Sequence, residues 1–117
     1  MAKSLRNHLL MKKPNVYVVS RSCHDFSMAE KFGHLIFLSS GPINLTSTSK
    51  MYRKFYQILK NSKPTDYILP SGLSIMGMIA CSIFSVLHGR LNLLIYQYST
   101  KLKQAHYEER VIMIKGE

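Results

Sequence analysis

Residues 67–87 form a stretch without a charged side chain, and this stretch decides between two very different folds. Its length approaches that of a membrane-spanning helix, which needs roughly 20 apolar residues. The turn-forming residues 70–72 interrupt it near its start, and three serines dilute the remainder. The sequence therefore predicts a buried helix over about residues 73–87, with a membrane segment over residues 67–87 as the alternative.

The rest of the chain alternates between strand-like and helix-like segments. Runs rich in β-branched, aromatic and other apolar residues predict strands at residues 15–20, 34–38, 67–69, 90–98 and 107–114. Further helices are predicted from Ser27, which has the capping-box spacing with Glu30, and over residues 47–59. Strands that alternate with helices indicate a mostly parallel sheet covered on both faces. We therefore predict a single α/β domain over residues 15–117, three-layered and Rossmann-like, that ends in an antiparallel hairpin.

Charge is the property that bears most directly on function. The chain has 16 Lys and Arg against 6 Asp and Glu, a formal net charge of +10, and such an excess is typical of proteins that contact phosphate. The charge is concentrated in a basic N-terminal arm, residues 1–14, and on the outer face of the helix predicted over residues 47–59. That face carries Lys50, Arg53, Lys54 and Lys60. Nonspecific binding of nucleic acid is one prediction, because no recognition helix, zinc finger or aromatic RNA-binding motif is present.

Serine and glycine are frequent in the loops that follow three of the predicted strands. The loops contain Ser20, Arg21, Ser22 and His24, then Ser39, Ser40, Gly41 and Asn44, and finally Ser71 and Gly72. Because the carboxyl ends of parallel strands meet at one edge of a sheet, we expect these loops to converge there. The third loop also leads into a helix N-terminus, which favours anions. The leading prediction is a site for a small phosphate-bearing ligand such as a nucleotide, with Arg21 and His24 contacting the anion.

Catalysis is indicated by one short segment only. Cys23, His24 and Asp25 are adjacent, and His24 with Asp25 could act as a general base. In the alternative interpretation, Asp25 caps the helix near Ser27. The sequence leaves open whether the protein is an enzyme, and it predicts no cofactor and no metal site.

Small residues recur every fourth position of the predicted apolar helix, at Gly77, Cys81 and Ser85. Such a stripe allows a close approach of the sheet beneath it or of a second copy of the chain, so a homodimer is a further prediction. Cys81 and Cys23 lie far apart and lack a metal-binding spacing, which indicates a reducing compartment. We therefore expect a cytoplasmic protein that does not have a membrane as its partner.

Three segments resemble small standalone α/β proteins of phages and mobile elements. They are VYVVSRS at residues 16–22, DYILPSG at residues 66–72 and HGRLNLLIY at residues 88–96. The resemblance covers roughly residues 15–114 and, at the level of the fold alone, is shared with the nucleotide-sensing Rossmann-like domains of antiviral systems. It implies binding of a nucleotide signal. An interaction or inhibitor role of a phage type is the other function to test.

Overall fold

A computed structural model describes residues 13–21, 24–40 and 47–116. In chain order the elements are β1 (Asn15–Val18), a 3₁₀ helix (Ser27–Lys31), β2 (His34–Phe37), α1 (Thr48–Leu59), β3 (Tyr67–Leu69), α2 (Ser74–His88), β4 (Arg90–Ser99) and β5 (Gln104–Met113). Every predicted strand is present. Ser22, Cys23, Gly41, Asn44 and all of the basic arm except Lys13 and Pro14 lie outside the described residues.

The five strands form one sheet in the spatial order β2-β1-β3-β4-β5. β1 pairs in parallel with both β2 and β3, β3 pairs in parallel with β4, and β5 is antiparallel to β4. The predicted mostly parallel sheet with an antiparallel C-terminal hairpin is therefore confirmed. β1 and β3 lie side by side where the strand order reverses, which is the position at which open α/β sheets bind ligands.

The two faces of the sheet are covered unequally. α1 and α2 pack together on one face, where Tyr17, Ile68 and Leu91 of the sheet meet Phe55 of α1 and Phe84 of α2. The 3₁₀ helix covers the other face, and the buried residues there form a smaller cluster: Val16, Val18, Phe26, Ala29, Leu69, Leu94 and Tyr107. The sheet thus lies between a thick helical layer and a thin one.

The capping box predicted at Ser27 and Glu30 is wrong. Oδ1 of Asp25 instead accepts the N–H of Ser27 at 2.9 Å, which is the alternative role expected for Asp25. The segment forms a single stretch of 3₁₀ helix, and the residue at its N-cap position, Phe26, makes no side-chain hydrogen bond. Gly33 follows it, where a Cβ atom would lie only 2.1 Å from the carbonyl oxygen of Pro14. A larger residue there would push β2 away from the start of β1.

All of α2 except its last residue, His88, lies within the uncharged stretch, and the helix buries one face against the sheet, including Met76, Ala80 and Phe84. It ends at Gly89, whose φ of 68° suits a glycine just past a helix C-terminus. No helix in the described part of the chain is long and apolar enough to cross a membrane.

A buried polar network fixes the amino ends of the central strands. The Asp66 carboxylate accepts the N–H of Asn15 at 2.9 Å and the N–H of Lys63 at 2.8 Å. The Asn92 amide donates to the carbonyl oxygens of Pro64 at 2.6 Å and Asp66 at 2.7 Å. Buried polar groups that bind one another in this way hold the loop before β3 in place.

Candidate functional site

Hydrogen bonds join the loops that follow β1, β2 and β3 at the carboxyl edge of the sheet. The N–H of Ser20 donates to Oγ of Ser71 at 2.9 Å, and that hydroxyl donates in turn to the carbonyl oxygen of Ser20 at 2.8 Å. The N–H of Arg21 donates to the carbonyl oxygen of Ser39 at 2.8 Å. The structure therefore brings together Ser20, Arg21, Ser39, Ser71 and Gly72, and we call these residues, with the neighbouring Ser40, the carboxyl-edge loops.

Many hydrogen-bonding groups of the carboxyl-edge loops already bind one another. The amides of Ser20 and Arg21 already have acceptors, and the Ser71 hydroxyl already donates its proton. Gly72 has a φ of 77°, and a Cβ atom there would lie 2.7 Å from Cβ of Ser20. The space between β1 and β3 at this edge is therefore closed by the protein's own atoms.

Two side chains of these loops could still bind a ligand. The hydroxyl of Ser39 is buried, with 3% of the residue exposed, and makes no hydrogen bond within the described residues. The exposed guanidinium of Arg21 lies over the ring of Phe37, 4.0 Å from its centroid. Ser40 is exposed beside them. The cation of Arg21 is therefore held by an aromatic ring at the edge where an anion was predicted.

A cavity of about 480 Å³ lies on the thinly covered face, beside the carboxyl-edge loops. His24, Ser71 and Gly72, all predicted as ligand contacts, line it together with Tyr96 and Tyr107. The described residues of its wall include an acid, Asp25, but neither Lys nor Arg. Such a wall suits an uncharged or aromatic group better than a phosphate.

His24 and Asp25 have surroundings that fit a structural role. The Asp25 carboxylate binds the N–H of Ser27, and this hydrogen bond lowers its pKa. The ring of His24 meets Phe26 edge-on, with 6.4 Å between centroids. Among residues 13–21, 24–40 and 47–116, no cluster of His, Cys, Asp and Glu could hold a metal ion.

The exposed charged residues of α1, and the residue that follows it, are all basic. Lys50, Arg53, Lys54 and Lys60, which we call the α1 basic face, are all exposed, and residues 48–65 contain no acidic side chain. The apolar residues of the helix point the other way, into the core. The ion pairs found among the described residues belong to Glu108 on β5, so they leave these cations unpaired.

Two exposed tyrosines flank the α1 basic face. Tyr52 is 50% exposed and Tyr56 is 36% exposed. Their rings are stacked at 6.0 Å with an interplanar angle of 19°. Tyr52 also lines an open groove of about 500 Å³ with Arg53 and with Ile75 and Ile79 of α2. These tyrosines were not among the predicted site residues, although their spacing of four residues on a basic helix is visible in the sequence.

The small residues of α2 are half-buried. Ser85 donates its hydroxyl proton to the carbonyl oxygen of Cys81 at 2.7 Å, and burial raises the pKa of the Cys81 thiol. A Cβ atom on Gly77 would meet only Cβ of Pro70, at an ordinary 3.7 Å. A homodimer contact through this stripe stays a prediction.

A comparison with protein families gives one match, to a family described as Phage Pam3 gp32-like protein, over residues 14–112. The matched region begins just before β1 and ends one residue before the end of β5, so it contains all of the sheet except Met113. Neither the curated proteins nor the solved structures gave a match. The family agrees with the resemblance to small phage proteins, and the length of the match shows that this chain belongs to the Phage Pam3 gp32-like family.

Proposed function

We propose that this protein binds the phosphate backbone of nucleic acid, without reading its sequence, through the α1 basic face. The observation that carries the proposal is the exposed, stacked pair Tyr52 and Tyr56 on a helix that bears three exposed cations, is followed directly by a fourth, Lys60, and has no acid. Cations that follow a backbone, combined with aromatic rings on which bases stack, are what sequence-tolerant binders of single strands use.

The two kinds of side chain would have separate roles. Lys50, Arg53 and Lys54 would neutralise phosphates and release their counterions, which makes binding weaken as salt rises. Tyr52 would offer a ring to a base at the mouth of the groove that Ile75 and Ile79 line. The net charge of +10 would attract the polymer from a distance. A cytoplasmic location, where such a polymer is accessible, is part of this proposal.

The test is binding of a fluorescent oligothymidylate, measured by anisotropy. The triple variant Lys50→Gln, Arg53→Gln, Lys54→Gln should bind about a hundredfold more weakly at low salt, since it loses three backbone contacts. The matched control is Lys31→Gln, Lys101→Gln, Lys103→Gln, which removes the same charge from exposed positions elsewhere. The control should bind nearly as wild type. Equal losses in both variants would mean that net charge alone attracts the polymer, which contradicts the proposal.

A small phosphate-bearing ligand at the carboxyl-edge loops is the second candidate. It is supported by the buried Ser39 hydroxyl, which has no partner among the described residues, and by the guanidinium of Arg21 near the same edge. The neighbouring cavity, with Tyr96 and Tyr107 in its wall, would take the base of a nucleotide. A thermal-shift screen with mononucleotides and cyclic nucleotides tests this candidate. Arg21→Ala should abolish any shift without unfolding the protein, and an unchanged shift would reject the site.

A further inference from the structure

β5 lies at an edge of the sheet and ends in exposed apolar residues. Val111, Ile112, Met113 and Ile114 are all exposed although they follow one another in or next to the strand. No other strand of the described part of the chain pairs with the outer side of β5. Natural sheets protect their edges with charges, bulges or very short strands, because an unprotected edge pairs with other chains. The other edge strand, β2, is much shorter.

The main chain of this segment presents groups outward that no described strand pairs with. The N–H of Ile114 donates to the carbonyl oxygen of Gly89 at 3.0 Å, so it points toward β4. Along a strand, the N–H and C=O groups of successive residues point alternately toward one neighbouring strand and away from it. The N–H and C=O groups of Val111 and Met113 therefore point away from β4. The exposed edge thus combines free hydrogen-bonding groups with apolar side chains.

We infer that β5 pairs antiparallel with β5 of a second copy of this chain, about a two-fold axis at Ile112. In this register Ile112 faces its own equivalent, and Val111 faces Met113 of the other copy. Val111 and Met113 would then exchange their outward main-chain hydrogen bonds. Arg110 comes opposite Ile114 at both ends of the contact, so no charged residue of the edge faces a like charge.

Other symmetric registers are less compatible with this sequence. An axis at Glu109 or Arg110 would place like charges directly opposite each other, which destabilises a strand pair. An axis at Val111 would place Glu109 against Met113. Of these four axes, the one at Ile112 places apolar residues opposite one another and no charge opposite a like charge. This inference does not depend on the nucleic-acid proposal. The two-fold axis would run perpendicular to the sheet, so both α1 basic faces would lie on the same side of the dimer.

Sedimentation velocity of the full chain tests the contact. We expect a species of twice the 13.4 kDa chain mass that dissociates on dilution. Ile112→Lys brings two lysines together at the axis and should raise the dissociation constant at least about a hundredfold. The control is Val86→Lys on α2, where the native side chain is 82% exposed, and it should leave the dimer intact. Circular dichroism checks that Ile112→Lys, at a position 49% exposed, keeps its fold.

Cysteine cross-linking tests the register independently. Residues facing each other in a non-hydrogen-bonded antiparallel pair have Cα atoms about 4.5 Å apart, close enough for a disulfide. Ile112→Cys should therefore form a covalent dimer under mild oxidation, whereas Arg110→Cys should not. A wild-type monomer would overturn the inference. So would a dimer that survives Ile112→Lys, since the contact would then lie elsewhere, for example at Gly77, Cys81 and Ser85.

Discussion

The carboxyl-edge loops and the α1 basic face are both rich in groups that bind phosphate, but the fold treats them differently. In the loops, Ser20 and Ser71 bind each other, and the amide of Arg21 binds Ser39. On α1, the cations have no acidic partner in the described structure. The type of a residue shows which groups it could offer to a ligand. The hydrogen-bond and ion-pair partners of those groups in the fold decide which of them remain available.

The largest expected effect is on the free energy of unfolding. It tests whether the close packing of the carboxyl-edge loops stabilises the fold. Gly72→Ala should lower the free energy of unfolding by about 3 kcal/mol, because alanine is strained at a φ of 77° and its Cβ would collide with Ser20. Gly77→Ala is the matched control, since it lies in a helix and has room for a methyl group. It should stabilise the protein by up to about 1 kcal/mol. Urea unfolding measures the free energy of unfolding of both variants. Equal changes would show that the packing at Gly72 contributes nothing particular to stability.

The next effect concerns the hydroxyl that joins two of these loops. Ser71→Ala leaves the N–H and C=O of Ser20 without their partner, and should lower the free energy of unfolding by about 2 kcal/mol. Ser82→Ala removes an exposed hydroxyl that only binds its own helix, so its unfolding should change little. If Ser71→Ala unfolds like wild type, the hydroxyl is free to serve a ligand and the comparison fails.

A smaller effect is expected in binding rather than in stability. Tyr52→Leu keeps an apolar side chain in the groove but removes the ring, and should weaken binding of single-stranded DNA by about 1 kcal/mol, or about fivefold. Tyr98→Leu removes an equally exposed ring from the hairpin and should bind as wild type. Comparable losses in both variants would show that exposed tyrosines contribute without regard to position.

The smallest expected effect is on how stability depends on pH, and it involves His88 at the end of α2. Nε2 of His88 lies 2.8 Å from the hydroxyl oxygen of Ser62. Burial lowers the pKa of His88 below its ordinary value of 6.5, and the charge of Asp66 opposes this shift only in part. As pH falls through 6.5, the unfolded chain therefore binds the proton first, and stability declines. His88→Gln should show a shallower decline in thermal unfolding between neutral and mildly acidic pH. An identical decline would place the titrating group elsewhere.

The fold was largely predictable because its signals are local. The strands are short β-branched and apolar runs, and the apolar residues of α1 recur at helical spacing. The 3₁₀ helix begins at Ser27 as predicted, but the capping box was wrong because Asp25, two residues before Ser27, binds the Ser27 amide instead. β5 begins at Gln104 rather than at residue 107, because its pairing with β4, rather than its own apolar content, sets its length.

The candidate site was predictable only in part. Parallel strands were enough to bring the three loops together, but the hydrogen bonds between Ser20 and Ser71 depend on register. Val18 pairs with Leu69, so the residues two positions further along each chain meet. No local pattern in the sequence reveals that register. The tyrosines of α1 could have been found from their spacing, whereas their exposure depends on how α1 packs against α2.

The most direct test of the central claim, that α1 makes the phosphate contacts, is the salt dependence of oligothymidylate binding. The logarithm of the binding constant falls with the logarithm of salt concentration by about 0.7 for each phosphate contact on a single strand. The account predicts that Lys50→Gln, Arg53→Gln, Lys54→Gln reduces this slope by about 2, while the Lys31, Lys101 and Lys103 control keeps the wild-type slope. An unchanged slope in the α1 variant would contradict the claim.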